Sequence, residues 1–424
     1  METCQSPSTV QIILFFLFQG AFFWTWQGYS DVAISLCNKG INEQGFESPI
    51  STPSKNTVKF DPTSFNRTMV DFEVEARNLG GIRPRIWDAW PLHRRLPCPP
   101  VEERWWHHIV QRAPTKRGLL FVKEMKTGSS SVGGVVIRIA RNLPKRYGYD
   151  FDQCSTRFDH CPARTMKYKK RIRPDSFLFT FVREPSTRFI SQFFHFMVSR
   201  QKIEPSDYNI QAYFVKNPYL HDYYLNDLSL SSYPPKNLSS YEKPAYRLRA
   251  AKAIVHDYDF IGITERMDES LVVLQHLLHL PTSDIMHLNA KSNGGFDDGA
   301  FNSTCVFIVP SYTSATMKIW LENSSVWKDK IRGDEMLYNA AYRSLDLTID
   351  SLGREQFEEK LEKFRRAQKL ALEKCSSNLT MPCSPEGVRA KVLDVNKFAS
   401  DCLWLDSGCG YKCLDEISDE VDNM

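Results

Sequence analysis

The chain carries very little net charge. Its 54 Lys and Arg against 50 Asp and Glu leave +4 over 424 residues. That is too little for a general coat on nucleic acid, so any anion binding must come from local clustering. The 11 cysteines contain no C-x2-C pair and no clustered histidine stands with those of the tail, which leaves zinc a poor reading of the cysteine-rich tail. The nucleotide signature G-x-x-x-x-G-K-[ST] is absent, and no internal repeat points to a solenoid. With 42% hydrophobic and 25% charged residues, the chain can bury one large domain and carry appendages.

Charge is also missing from VQIILFFLFQGAFFWTW (10–26), a run just long enough to span a bilayer and bordered by Trp24 and Trp26. Residues 1–9 contain no Lys or Arg, so neither the n-region of a signal peptide nor the positive-inside rule fixes the orientation. A signal anchor and a cleaved signal peptide both place the bulk of the chain in the secretory lumen. Two features agree with that compartment. N-x-[ST] sequons stand at Asn66, Asn237, Asn302, Asn323 and Asn378. Setting Cys4 aside leaves ten cysteines, an even number suited to disulfides. Cys154 and Cys161 are spaced to close a short loop, and Cys375, Cys383, Cys402, Cys409 and Cys413 crowd the tail.

These boundaries divide the chain into a short cytoplasmic tail (1–9), a membrane segment (10–26) and a Pro-, Ser-, Thr- and Asn-rich stem (27–112). A domain (113–374) and a cysteine-rich tail (375–424) follow. Within the domain, GLLFVK (118–123), SFLFTFVR (176–183) and DFIGIT (259–264) read as strands, each followed by an amphipathic stretch. That alternation predicts a parallel α/β sheet. Residues 354–374 read as a charged helix with Phe357, Leu361 and Phe364 on one face.

Chemistry enters at FVKEMKTGSSS (121–131). The strand ends on Lys123, and Lys126, Thr127, Gly128, Ser129 and Ser130 form a loop running into the helix-compatible SVGGVVIRIARN (131–142). Backbone N–H groups at a helix start favour an anion, Gly128 permits close approach and Lys126 adds a mobile positive donor. The same serines equally suit a helix that merely caps itself. In FVREPSTRFISQFFHF (181–196), Arg183 ends the next strand and Pro185 suits a first helical turn. Arg188, Ser191 and His195 then share one helical face. Two guanidiniums and a hydroxyl at that strand end would hold a second phosphate.

KTGSSS (126–131) and FVREPSTRFISQFFHF (181–196) resemble the two cofactor motifs of the Golgi carbohydrate sulfotransferases. Their donor is 3'-phosphoadenosine 5'-phosphosulfate (PAPS). The segments at 257–278 and 335–368 are similar to the galactose 3-O-sulfotransferase branch. The resemblance runs in order over about residues 115–375 and implies the sulfotransferase fold, a P-loop-like parallel sheet flanked by helices. It further implies that the first motif grips the 5'-phosphosulfate and the second the 3'-phosphate, with no metal needed. HLNAKSNGG (287–295) resembles the loop that closes over the cofactor, with Lys291 as a phosphate contact. The implied partner is a glycan or glycolipid acceptor, with galactose 3-OH implied by branch alone. The implied setting is the Golgi membrane, single-pass type II with a lumenal domain.

Sulfuryl transfer asks mainly for alignment and for charge neutralisation at the bridging oxygen, a task that suits Lys126. The helix after the first motif carries no acid in SVGGVVIRIARN, so the base lies elsewhere. His160 sits where the related enzymes place a histidine base, with Asp159, Glu124 and His195 as alternatives. The run Lys167, Lys169, Lys170, Arg171 and Arg173 suits either an acidic glycan or a solvated face. Two other readings compete. Asp257 and Asp259 have the D-x-D form of a glycosyltransferase metal site, and a non-catalytic lumenal glycan-binding protein would keep the fold alone.

Overall fold

The strands GLLFV and SFLFTFV are buried along their whole lengths, the pattern of a parallel sheet covered on both faces. The computed structural model describes residues 79–100, 116–231, 243–289, 295–297, 305–376 and 410–424. The apolar run 10–26, Lys291 and the sequons at Asn66, Asn237, Asn302 and Asn378 lie outside them. Among the described residues no helix is long and apolar enough to cross a membrane.

Strands β1 (Gly118–Val122), β2 (Arg157–Asp159), β3 (Ser176–Val182) and β4 (Phe260–Ile263) form one sheet in the order β2-β1-β3-β4. All three pairings are parallel. Phe121 stacks on Phe179 at 5.0 Å, and the register sets Val122 beside Thr180. The loops leaving β1 and β3 are therefore neighbours at the carboxyl end of the sheet, where open α/β sheets place their ligands.

Helix α1 (Ser129–Tyr147) follows β1 and ends on Gly148 in the left-handed region. Helix α2 (Pro185–Phe193) follows β3. Pro185 opens it, and the Glu184 carboxylate accepts bonds from Ser186 and Thr187 N–H. It continues as a π-helix over Phe194–Arg200. Then come α3 (Asp207–Lys216), α4 (Tyr223–Leu228), α5 (Lys243–Asp257), α6 (Met267–Leu278) and α7 (Thr282–Ile285). An antiparallel pair, β5 (Gly295–Asp297) and β6 (Cys305–Phe307), precedes α8 (Ala315–Asn323), α9 (Ser325–Ser351) and α10 (Arg354–Cys375). Helices α11 (Tyr411–Glu416) and α12 (Ser418–Asp422) end the chain. On α10, Phe357, Leu361 and Phe364 are all buried, as their spacing predicts.

Residues 79–100 fall in the span assigned by composition to the stem, yet they lie against the domain. Ile82, Trp87, Trp90 and Leu96 are buried in the main core. Arg85 and Trp87 N–H donate to Ser344 Oγ and Thr348 Oγ1 of α9, each at 3.0 Å. Cys98 pairs with Cys154, so the short Cys154 to Cys161 loop expected from spacing does not form. Composition misleads here because scattered tryptophans dock the segment without any periodicity. At the other end, Cys375 pairs with Cys413. The side chain of Arg138 on α1, nearly inaccessible to solvent, donates to Asp415 Oδ1 and to the carbonyls of Ser283, Met286 and Leu414.

Of the basic run before β3, the two arginines are spent on structure, while Lys167, Lys169 and Lys170 are exposed. Arg171 is buried and binds Asp259 through two nitrogens at 2.7 and 3.1 Å, while Arg173 pairs with Asp257 at 2.8 Å. Asp259 also accepts the Leu178 N–H at 2.7 Å. This clamp joins the amino ends of β3 and β4, and it commits both acids of the D-x-D form to arginines at the sheet edge opposite the carboxyl-end loops. Replacing Arg171 by Met leaves Asp259 without its partner. Urea unfolding of that variant should show a loss of about 2–4 kcal/mol.

Candidate active site

The loop Lys123–Gly128 begins where β1 runs out of partners, and its carbonyls are taken one after another. His160 Nδ1 donates to Lys123 O at 2.8 Å, and Thr127 Oγ1 to Glu124 O at 3.1 Å. Arg188 Nη1 donates to Met125 O at 3.2 Å and Arg183 Nη1 to Lys126 O at 3.4 Å. Thr264 Oγ1, at the end of β4, donates to Thr127 O at 2.9 Å. A peptide N–H points opposite to its own carbonyl, so carbonyls held by the protein turn the N–H edge of the loop the other way. Lys126 and Gly128 both have positive φ, 65° and 69°, the alternation that curls successive N–H groups into an anion nest.

Gly128 is the N-cap of α1, makes no side-chain cap bond, and the first turn holds no acid. The helix start is thus uncapped by side chains and its dipole is uncompensated by a carboxylate, which favours the anion reading over the self-capped one. The loop side chains divide the work. Lys123, Thr127 and Ser129 are buried, Lys126 and Ser130 half-buried, and Gly128 exposed. Thr127 uses its hydroxyl as a brace within the loop, so it offers a ligand its backbone alone.

The second motif meets the first from β3. Arg183 is half-buried, and its backbone N–H and C=O are both held by the Tyr224 hydroxyl, at 2.9 and 2.8 Å. Its Nε lies 3.9 Å from Glu265 Oε1. Ser191 is half-buried on α2. Arg188 behaves differently from the sequence expectation. It is fully buried, with its guanidinium 3.9 Å from the Phe189 ring centroid and 3.8 Å from that of Tyr223. Cation–π contacts and the Met125 carbonyl hold it under the loop, so it shapes the first motif and is not a second phosphate ligand. His195 falls in the π-helix and is buried, with Nε2 3.3 Å from Arg200 Nη2.

His160 is exposed and anchored by Nδ1. A carbonyl oxygen only accepts, so Nδ1 carries the ring hydrogen and Nε2 is left as the basic nitrogen. Glu124 and Asp227 share Tyr223 as a hydrogen-bond partner. Burial first, then the charge of Asp227, holds the Glu124 carboxyl well above the usual carboxylate range. Burial likewise pushes Asp227 up to about 6, against the opposing pull of Tyr223, Arg164, Arg188 and His160. Helix α4, which carries Asp227 and Tyr224, is itself set by Asp334 of α9. Its buried carboxylate accepts the N–H groups of Tyr223 and Tyr224 at 2.9 and 2.8 Å. Thr264, Tyr224 and Asp227 were not singled out from sequence. Thr264 alone left a signal, a hydroxyl closing the apolar run FIGIT.

Among the described residues no group of three or more His, Cys, Asp and Glu is placed to hold a metal ion. The model of the Sulfotransferase family matches residues 114–300, a span that contains both motifs and the whole four-stranded sheet. The match supports sulfuryl transfer in general. No curated protein matches the chain.

A Cβ built on Gly128 would stand 2.6 Å from Met267 Cε, and the positive φ disfavours any L side chain. Gly128→Ala should therefore cost about 1–2 kcal/mol in denaturant unfolding from the left-handed backbone alone. Adding Met267→Ala should recover only the part due to the contact.

Proposed function

We propose that this chain is a PAPS-dependent carbohydrate sulfotransferase that moves a sulfuryl group to a hydroxyl of a glycan or glycolipid, with galactose 3-OH the favoured position. The observation that carries the reading is the pair of hydrogen bonds from Arg183 and Arg188 to consecutive carbonyls of the Lys123–Gly128 loop. Through them two motifs suited to anions become neighbours on one surface. The N–H groups of the loop and of the α1 start, with Lys123 and Ser130, receive the 5' end. Arg183 and Ser191 receive the 3'-phosphate, and Lys291 is assigned to the same nucleotide by resemblance.

His160 takes the acceptor hydroxyl proton on Nε2 as the new S–O bond forms. Lys126 meets the negative charge that builds on the bridging oxygen as the old S–O bond breaks. The glycosyltransferase alternative is weakened because Asp257 and Asp259 are engaged by Arg173 and Arg171. A purely glycan-binding role leaves the nested loop and the oriented imidazole without a task. For the setting, we propose a Golgi type II protein anchored by residues 10–26, its stem beginning at residue 27 and its domain in the lumen. The two disulfides and the sequons favour an oxidising compartment.

Calorimetry with adenosine 3',5'-bisphosphate tests the donor site. Arg183→Ala should weaken binding by about 1.5–3 kcal/mol per charged hydrogen bond lost, Ser191→Ala by less, and undiminished affinity in the arginine variant removes the second motif from the site. Lys126→Ala should chiefly lower turnover. His160→Gln should lose about 10²–10⁴ in turnover while binding the bisphosphate normally. Activity should survive EDTA, whereas its complete loss restores the metal-dependent alternative.

A further inference from the structure

Strand β4 ends at Ile263, and the two residues after it reach both motifs. In the sheet β4 pairs with β3 alone, yet Thr264 extends past β3 to the loop that follows β1. Its Oγ1 lies 2.9 Å from Thr127 O in the first motif and 3.0 Å from Val182 O in the second, the carbonyl just before Arg183. A hydroxyl has one hydrogen to give, so the two carbonyls share it and both are held to one oxygen. The side-chain methyl Cγ2 lies 3.6 Å from the place a Cβ on Gly128 would take, against the start of α1. Glu265 fastens the same turn to the second motif. Its Oε1 accepts the Glu184 N–H at 2.9 Å and lies 3.9 Å from Arg183 Nε, while its Oε2 accepts the Tyr338 hydroxyl of α9 at 3.1 Å.

We infer that Thr264 is a positioning residue for the donor: its hydroxyl sets the spacing between the part of the site that receives the 5' end of the nucleotide and the part that receives the 3'-phosphate. This rests on the reading of the two motifs as the two ends of one nucleotide site. Thr264 acts through the backbone, since the carbonyls it holds belong to the residue before Gly128 and the residue before Arg183. With both held to one oxygen, the N–H edge of the first loop and the Arg183 guanidinium meet the nucleotide at a set separation. A ligand with a phosphate at each end then fills both parts without first bringing them into register. A ligand with one phosphate fills one part and draws nothing from the spacing. Loss of the hydroxyl is therefore felt by the doubly phosphorylated nucleotide and not by either singly phosphorylated one, which separates a spacing role from general damage to the loop.

The test is calorimetry on the full-length protein with adenosine 5'-phosphate, adenosine 3'-phosphate and adenosine 3',5'-bisphosphate. Thr264→Val keeps the shape of the side chain and removes the hydroxyl. Its affinity for the bisphosphate should fall about three- to tenfold, the share of one net hydrogen bond, while each monophosphate binds within about twofold of wild type. Thr264→Ser keeps the hydroxyl and should hold bisphosphate affinity within about twofold. Thr264→Ala is read in the same way as the valine variant and takes its place if valine lowers the thermal transition. An unchanged bisphosphate affinity in the hydroxyl-free variants overturns the inference, as does an equal loss for all three ligands or a serine variant that binds no better than the valine one. If the wild-type protein binds the bisphosphate no more tightly than either monophosphate, the reading of the motifs as two ends of one site fails, and this inference falls with it.

Discussion

Everything at the carboxyl end of the sheet depends on the backbone of the Lys123–Thr127 loop being held by its carbonyls. Five carbonyls in a row accept bonds, from an imidazole, a threonine inside the loop, two arginines and the threonine that follows β4. Each bond is worth only about 1 kcal/mol net. Their combined effect is geometric, because a loop with every carbonyl fixed has one edge left for a ligand, and that edge presents N–H groups. In the reading proposed here, the anion preference belongs to the fold and does not wait for a ligand to induce it.

The supports of that loop reach far along the chain. Helix α9 carries Asp334, whose buried carboxylate caps α4; α4 carries Tyr224, whose hydroxyl holds the Arg183 backbone; and Arg183 braces Lys126 O. Helix α9 can approach α4 closely because residue 333 is glycine, where a Cβ would stand 2.4 Å from Leu225 Cδ1. Burying Arg188 beneath the loop is costly in itself, and the aromatic faces of Phe189 and Tyr223 offset part of that cost. A charge in such a place fixes the loop without being available to a nucleotide, which explains why an arginine in the second motif serves the first.

The sheet was legible because β1, β3 and β4 are short continuous apolar runs, and α10 because its apolar residues recur at helical spacing. Strand β2, three residues long and without an apolar run, left no such signal. In the site, local features could be read: a lysine and glycine before a helix start, an arginine at a strand end. Contacts across the chain could not. The pairing of Cys98 with Cys154 and the docking of residues 79–100 depend on tertiary approach, and no spacing rule encodes them. Arg171 and Arg188 show the same limit. Sequence presents both as exposed cations near anion sites, and only packing reveals that each is buried on a structural partner.

A crystal structure of the domain with adenosine 3',5'-bisphosphate bound tests the central claim most directly. The account predicts the 5'-phosphate within hydrogen-bond distance of the loop N–H groups between Lys126 and Ser130, and the 3'-phosphate on Arg183 and Ser191. The five loop carbonyls should keep the partners they have without ligand. A nucleotide bound away from this loop, or a loop that releases those carbonyls to reach it, would contradict the account.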